Sequence, residues 1–317
     1  MNIAVHDNAS GKFSQMIISH WRSRGHDVRF EMGANPEAFS SWADLIYIDF
    51  IDGNFYSYYN GMNGDRSQPP FPKKRIAVRG IDIDIWQGRH RDPDIWSYLD
   101  DFIVINQFYF DLVRNETSPY SDSKLHLIKP GVDLGKFTLM YKQHGYKIAC
   151  VMGNIWEAKS GFEAIRIFQE VNRLYPDKPW ELFIRGQHIE PDWHLFAYNQ
   201  LIKNTGLEDR IHIVPFLGGE EAMNEWYQDK DYILVTSHKE AFSYAAAEGM
   251  AVGLKPVINN FFGSDDIWPK EYRFNSINEA CLMLGEGTWL PEEYRQYIVE
   301  NYDLKKMLES YDSLFQT

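Results

Sequence analysis

Residues 239–258 read KEAFSYAAAEGMAVGLKPVI, with Glu240 and Glu248 set on either side of seven mostly small or aromatic residues. An apolar run, DYILVTS (231–237), precedes the stretch, and KPVINN (255–260) closes it. The order reads as strand, turn, helix, strand. Glu240 then falls at the carboxyl end of a strand, where parallel α/β sheets bind their ligands. Ser243 stands near the start of the helix. Alanines 245–247 and Ala251 let that helix pack closely on whatever faces it. Glu248 lies about one and a half turns into the helix. A carboxylate embedded there without donors is costly, so it requires partners. Neighbouring hydroxyls, such as the pair on a ribose, would satisfy it; so would water, if the residue points outward from an exposed face.

Working outward, short apolar runs alternate with helix-length segments on both sides of this stretch. YKIACVMGN (146–154), WELFIRG (180–186) and RIHIVPF (210–216) read as strands before it. Between them, GFEAIRIFQEVNRLYP (161–176) is amphipathic, with Phe162, Ile165, Phe168, Val171 and Leu174 near a 3.6-residue period. An earlier series contains NIAVHD, HDVRFEM, ADLIYIDF (43–50), KRIAVRG (74–80), DDFIVIN (100–106) and KLHLIKPG (124–131). Continuous apolar strands alternating with helices predict parallel sheets covered on both faces. The polar stretch DLGKFTLMYKQHG (133–145) separates the two series and reads as a linker. The expected fold class is therefore α/β, with two Rossmann-like, doubly wound domains facing each other across a cleft. The first is expected over 1–138 and the second over 139–300, with 301–317 as a C-terminal helix.

A chain of 317 residues with 44% hydrophobic content accommodates two such cores. A net charge of −13 argues against nucleic acid or an anionic membrane as the general partner. Two basic clusters, KKR (73–75) and GRHR (88–91), read first as solvated strand or loop ends, so membrane contact is expected to be peripheral at most. No apolar run approaches membrane-spanning length and the N-terminus turns polar within six residues, which sets the expectation of a soluble, cytoplasmic protein. Cys150 and Cys281 lie in separate apolar stretches and read as buried, reduced thiols.

Neither GxGxxG nor GxxxxGK[ST] occurs, which argues against a dehydrogenase or a P-loop enzyme. Two strand-to-loop junctions still offer backbone amides to an anion: NASGK (8–12), around Gly11, and GNIWEAKSG (153–161), where Gly153 frees the backbone and Lys159 precedes a helix. Taken alone, Lys159 reads first as a surface lysine. IDIDIW (81–86) holds Asp82 and Asp84 in a DxD arrangement able to bind a divalent cation, but patterns this short arise often by chance. Trp86, Trp96 and the tyrosines of FYSYYN (55–60) would suit either sugar stacking or ordinary packing.

Taken in order, these segments resemble the family-4 glycosyltransferases of the GT-B fold. EAFSYAAAEGMAVGLKPVI is similar to their E-x7-E motif, usually written EGFGLVLLEAMACGLPVI. GNIWEAKSGFEAIRIF resembles GRLxxxKGxxxLIxAF, HWRSRGHDVRF resembles LxxRGHEVxV, and IKPGVDLGKF resembles IPNGVDxxxF. The resemblance runs from about residue 11 to the end of the chain. It implies Glu248 on the nucleotide ribose, Glu240 on the donor sugar, and the amides of Ala241, Phe242 and Ser243 near the sugar and distal phosphate. Lys159 would neutralise the diphosphate, which Gly11, Gly153 and Asn154 also approach.

Two departures stand out. Asn154 replaces a frequent arginine, for which Arg185 is a candidate substitute. RGID replaces HGxD, so Arg79 occupies the histidine position while Asp82 keeps the acidic one. An arginine there can stabilise charge or hold an anionic acceptor, but it is no base near pH 7.

The resemblance implies transfer of a hexose from a UDP- or GDP-linked sugar to an unknown acceptor, with retention and without a metal or other cofactor. Glu240, Lys159, Arg79 and Asp82 are the expected catalytic set, and the last helix is expected to reach back to the first domain. A GT-B nucleotide-sugar epimerase and a catalytically inactive nucleotide-sugar-binding protein are the alternatives.

Overall fold

The structure, a computed structural model, describes residues 1–7, 14–33, 42–60, 74–155, 157–188, 192–215 and 218–316. The chain divides into two units, Met1–Lys129 with Lys305–Thr317, and Pro130–Leu304. Residues 130–138, expected in the first domain, thus belong to the second. Side chains and backbone distant in sequence hold them there: Arg295 donates to the carbonyls of Leu134 and Phe137 at 3.1 and 2.7 Å, and Val132 N–H donates to Tyr302 O at 2.8 Å.

The first unit is built on six parallel strands: β1 (Asn2–Asp7), β2 (Asp27–Glu31), β3 (Leu45–Asp49), β4 (Arg75–Arg79), β5 (Asp101–Val104) and β6 (Leu125–Leu127). Their order across the sheet is β2-β1-β3-β4-β5-β6. Every residue of β3 and β5 is buried, the signature of strands covered on both faces. Helices α1 (Gln15–Ser23), α2 (Gly53–Asn60), α3 (Asp82–Trp86), α4 (Pro93–Tyr98) and α5 (Gln107–Thr117) connect the strands.

The sheet of the second unit comprises β7 (Lys147–Ile155), β8 (Glu181–His188), β9 (Ile211–Val214), β10 (Tyr232–Val235), β11 (Lys255–Asn259) and β12 (Arg273–Phe274). Its order is β12-β11-β10-β7-β8-β9, again parallel throughout. Around it run α6 (Gly161–Leu174), α7 (Asp192–Thr205), α8 (Glu220–Tyr227), α9 (Tyr244–Ala251), α10 (Ile277–Gly285) and α11 (Pro291–Asn301). The periodic face of α6 packs as its spacing predicts: Ile165, Phe168 and Val171 are fully buried, with Phe162 and Leu174 at the margin of the same core. Cys150 and Cys281 join that core as free thiols, and burial pushes both up to about 12. The small residues of α9 serve close packing on β10, because a Cβ on Gly249 would sit 2.9 Å from Ile233 Cβ. Among the described residues no helix is long and apolar enough to cross a membrane.

The last helix, α12 (Leu304–Phe315), packs within the first unit from Lys305 onward. Trp21 of α1 meets Tyr47, Tyr311 and Phe315 edge to face at 5.6, 6.2 and 5.9 Å. The hydroxyls of Tyr47 and Tyr311 are 3.0 Å apart, and His20 Nε2 lies 2.9 Å from Asp312. These contacts carry the aromatic face of α12 onto α1 and β3.

His6, near the end of β1, is wholly buried, and burial lowers its pKa from 6.5 to about 4. Between those values the unfolded chain binds a proton that the folded protein does not. Stability from this site is therefore complete above pH 6.5 and lost as pH falls toward 4, by up to about 3 kcal/mol. Urea unfolding at pH 7 and pH 4.5 should show a smaller acid loss in His6→Asn than in the wild type; equal losses would refute the assignment.

Candidate nucleotide-sugar site

Strand order in the second sheet reverses between β7 and β10, the place beyond whose carboxyl ends open parallel sheets bind their ligands. Lys159 and Glu240 both stand there. Lys159 ends a short 3₁₀ turn, Glu157–Lys159, between β7 and α6, and its ammonium bonds Glu240 Oε1. Ser237 Oγ donates to the same oxygen at 2.8 Å. The two loops are laced together by Thr236 Oγ1 donating to Lys159 O and His238 N–H donating to Ala158 O, both at 2.9 Å. His238 Nε2 also lies 3.3 Å from Glu163 Oε2 in the first turn of α6.

Each loop ends on a non-glycine residue with left-handed backbone immediately before its helix: Ser160 at φ 52° and Ser243 at φ 72°. Such conformations cost about 1–3 kcal/mol each and persist only where surrounding contacts fix them. For Ser243 the fixing contacts are visible. Its side chain caps α9 at Ala246 N, and Phe242 is buried against Trp268 and Tyr302, with ring centroids 5.5 and 4.8 Å away. The Phe242 ring is thus an anchor for the turn. Gly153 has φ 66°, at a register shift in β7, and Asn154 follows it on the strand.

Glu248 is half-buried on α9. Tyr227 OH, from the end of α8, donates to Glu248 Oε2 at 3.3 Å and approaches Ala245 O at 3.5 Å. Burial raises the Tyr227 hydroxyl well above its ordinary pKa, with the Glu248 charge adding to the effect. Arg185 of β8 is 1% exposed, and its guanidinium lies 4.9 Å from the centre of the Trp226 ring. Burial works against the Arg185 cation, while Tyr227 and Glu248 favour it. Arg185 therefore belongs to the Glu248 side of the site. Neither Tyr227 nor Ser237 was singled out from the sequence. Ser237 had a local signal, a hydroxyl at the strand end next to Glu240; Tyr227 had none, because only the packing of α8 on α9 brings it in.

The first-unit candidates are placed differently. Arg79 is 5% exposed and forms a two-pronged pair with Asp49, directly opposite on β3: Nε–Oδ1 2.7 Å and Nη2–Oδ2 2.8 Å. Burial raises the Asp49 carboxyl against the pull of Arg79. Tyr47 and Tyr311 complete the cluster. The Arg79 charge is thus matched by Asp49 inside the unit.

Asp82 opens α3 and is half-buried. Asp84 is wholly buried and accepts from Ile51 N and Ile81 N, both at 3.1 Å, and from Arg89 Nη1 at 2.9 Å. The second carboxylate of the DxD pattern is therefore turned inward. Among the described residues, no group of three or more histidine, cysteine, aspartate or glutamate side chains could hold a metal ion. Arginines of both basic clusters are paired: Arg75 with Asp101, Arg89 with Asp84 and Arg91 with Glu116. Trp96 is a core residue whose Nε1 donates to His90 O at 2.8 Å, whereas Trp86 is 38% exposed. Gly11, the Asn154 side chain and the side chains of Tyr58 and Tyr59 lie outside the described residues.

The architecture defines a GT-B protein. Over 99% of this chain and 97% of the other, it superposes on a glycosyltransferase from Rickettsia africae with a TM-score of 0.74 and 13% identity. Sucrose-phosphate synthase from Thermosynechococcus elongatus matches over 100% and 98% of the two chains, with a TM-score of 0.78 and 14% identity. HepE from Anabaena, solved with UDP and glucose, matches over 100% and 99%, at 0.75 and 12%. At these identities the likeness is one of fold. Residues 141–272 match the family described as Glycosyl transferases group 1, so the second unit carries a domain of that group. That stretch holds Lys159, Arg185, Tyr227, Glu240 and Glu248. A curated relative from Xanthomonas oryzae pv. oryzae, named GDP-mannose:cellobiosyl-diphosphopolyprenol alpha-mannosyltransferase, is 26% identical over 151 residues. The match spans 47% of this chain and 37% of the length of that relative.

Proposed function

We propose that this protein transfers a hexose from a nucleoside-diphosphate sugar to an acceptor, with retention of anomeric configuration and without a metal. The observation that carries this reading is the paired Lys159 and Glu240 at the reversal point of the second sheet, inside the group 1 domain, with Glu248 farther along the same segment. A departing nucleoside diphosphate gains negative charge as the glycosidic bond breaks. Lys159 and the N-terminal amides of α6 and α9 would stabilise that charge. Glu240 would hold hydroxyls of the sugar and Glu248 those of the ribose. The first unit would take the acceptor. HepE was solved with UDP, whereas the curated relative is named for GDP-mannose, so both nucleotides belong in the test.

Incubation of the full chain with UDP- and GDP-hexoses and a panel of acceptors, in the presence of EDTA, tests the reaction directly. Glycosylated product with the donor's anomeric configuration, read by NMR, supports the proposal; an inverted product or dependence on added metal removes those parts of it. Glu248→Ala should weaken nucleoside-diphosphate binding by about 10- to 100-fold, the loss of hydrogen bonds to a charged group, while the fold persists. Titration calorimetry showing unchanged affinity would sink the ribose assignment.

A further inference from the structure

We infer that Tyr227 is a positioning residue for nucleoside recognition, acting through Glu248; this rests on the nucleotide-sugar reading above. Glu248 is half-buried on α9, beside Ala247 and Gly249, and a donor reaches its carboxylate from another helix. That helix is α8. Tyr227 is fully buried, packs on Phe137 with ring centroids 6.4 Å apart, and presents its hydroxyl 3.3 Å from Glu248 Oε2. Because burial disfavours the phenolate, the hydroxyl remains a donor across the working pH range. A donor fixed on one carboxylate oxygen sets the plane of the group and with it the direction from which a diol can approach. Arg185, buried beside Trp226, lies near enough for its charge and that of Glu248 to favour each other. Tyr227 and Arg185 thus prepare Glu248 without touching the ligand. The chemistry recognised is a cis-diol, and the discrimination expected is between ribose and its deoxy forms.

The test uses UDP and GDP with their 2′,3′-dideoxy counterparts, titrated into full-length wild type, Tyr227→Phe and Glu248→Gln. Tyr227→Phe keeps the ring and its packing and removes one oxygen. The expected result is about tenfold weaker binding of the ribonucleotide, the size of one lost hydrogen bond to a charged group, with the dideoxy nucleotide bound as in the wild type. Equal loss for both nucleotides would show a general packing defect and overturn the inference, as would no loss for either. Glu248→Gln separates the two levels. If it binds ribose and dideoxyribose forms like the wild type, the ribose assignment of Glu248 fails and the inference fails with it. If it loses ribose discrimination while Tyr227→Phe keeps it, the inference alone fails.

Discussion

Replacing Lys159 by alanine is expected to lower kcat about 100- to 1,000-fold, the typical effect of removing one donor that faces charge developing in a transition state. The ammonium bonds Glu240 in the structure, and the same carboxylate accepts from Ser237. Removing Lys159 therefore has two consequences. On the proposed reading the leaving diphosphate would lose a cation, and Glu240 would be left as an unbalanced negative charge beside it. The double variant Lys159→Ala/Glu240→Gln separates them, because it should bind nucleoside diphosphate more tightly than Lys159→Ala while remaining slow. The coupling energy from the double-mutant cycle measures the pair. Steady-state rates with calorimetric affinities for the four proteins provide the check; a Lys159→Ala enzyme of near-normal kcat would remove the lysine from the leaving-group site.

Arg79→Ala, by contrast, is expected to act on the fold. It strips the partner from Asp49, which is wholly buried, and breaking a buried ion pair from one side costs about 3–5 kcal/mol. Neutralising both members, as in Arg79→Met/Asp49→Leu, should recover most of that loss, because the penalty lies in the abandoned charge. The cluster also includes Tyr47 and Tyr311, so the single variant should loosen α12, raising amide exchange along 305–315. Urea unfolding decides the matter. A variant as stable as the wild type but inactive would return Arg79 to the catalytic role that its place in the RGID segment suggested.

The two cases show why parts of this protein were legible in the sequence and others were not. Parallel strands covered on both faces must be continuous apolar runs, so YKIACVMGN, DYILVTS and ADLIYIDF announced β7, β10 and β3. The strand-turn-helix that carries Glu240 and Glu248 is equally local, since the spacing of 240 and 248 spans one turn and the start of one helix. α3 was less evident: IDIDIW alternates like a strand, yet it folds as a short helix because the Asp84 carboxylate is bonded at 3.1 Å by Ile81 N at the helix start and by Ile51 N from a distant loop.

The sequence by itself determined the two βα series, the strand-end position of Glu240, the helical position of Glu248 and the burial of both cysteines. Each follows from residues within about ten positions of one another, where hydrophobic period and turn chemistry dominate. Only the tertiary structure decided that residues 130–138 belong to the second unit, that Arg79 is matched by Asp49, that Lys159 meets Glu240, and that Tyr227 reaches Glu248. Those outcomes depend on which strand lies beside which and on which helix packs over it. Partners separated by 21 residues (Tyr227 and Glu248) to 170 residues (Val132 and Tyr302) come together through sheet order and helix packing, and a local pattern carries no record of either.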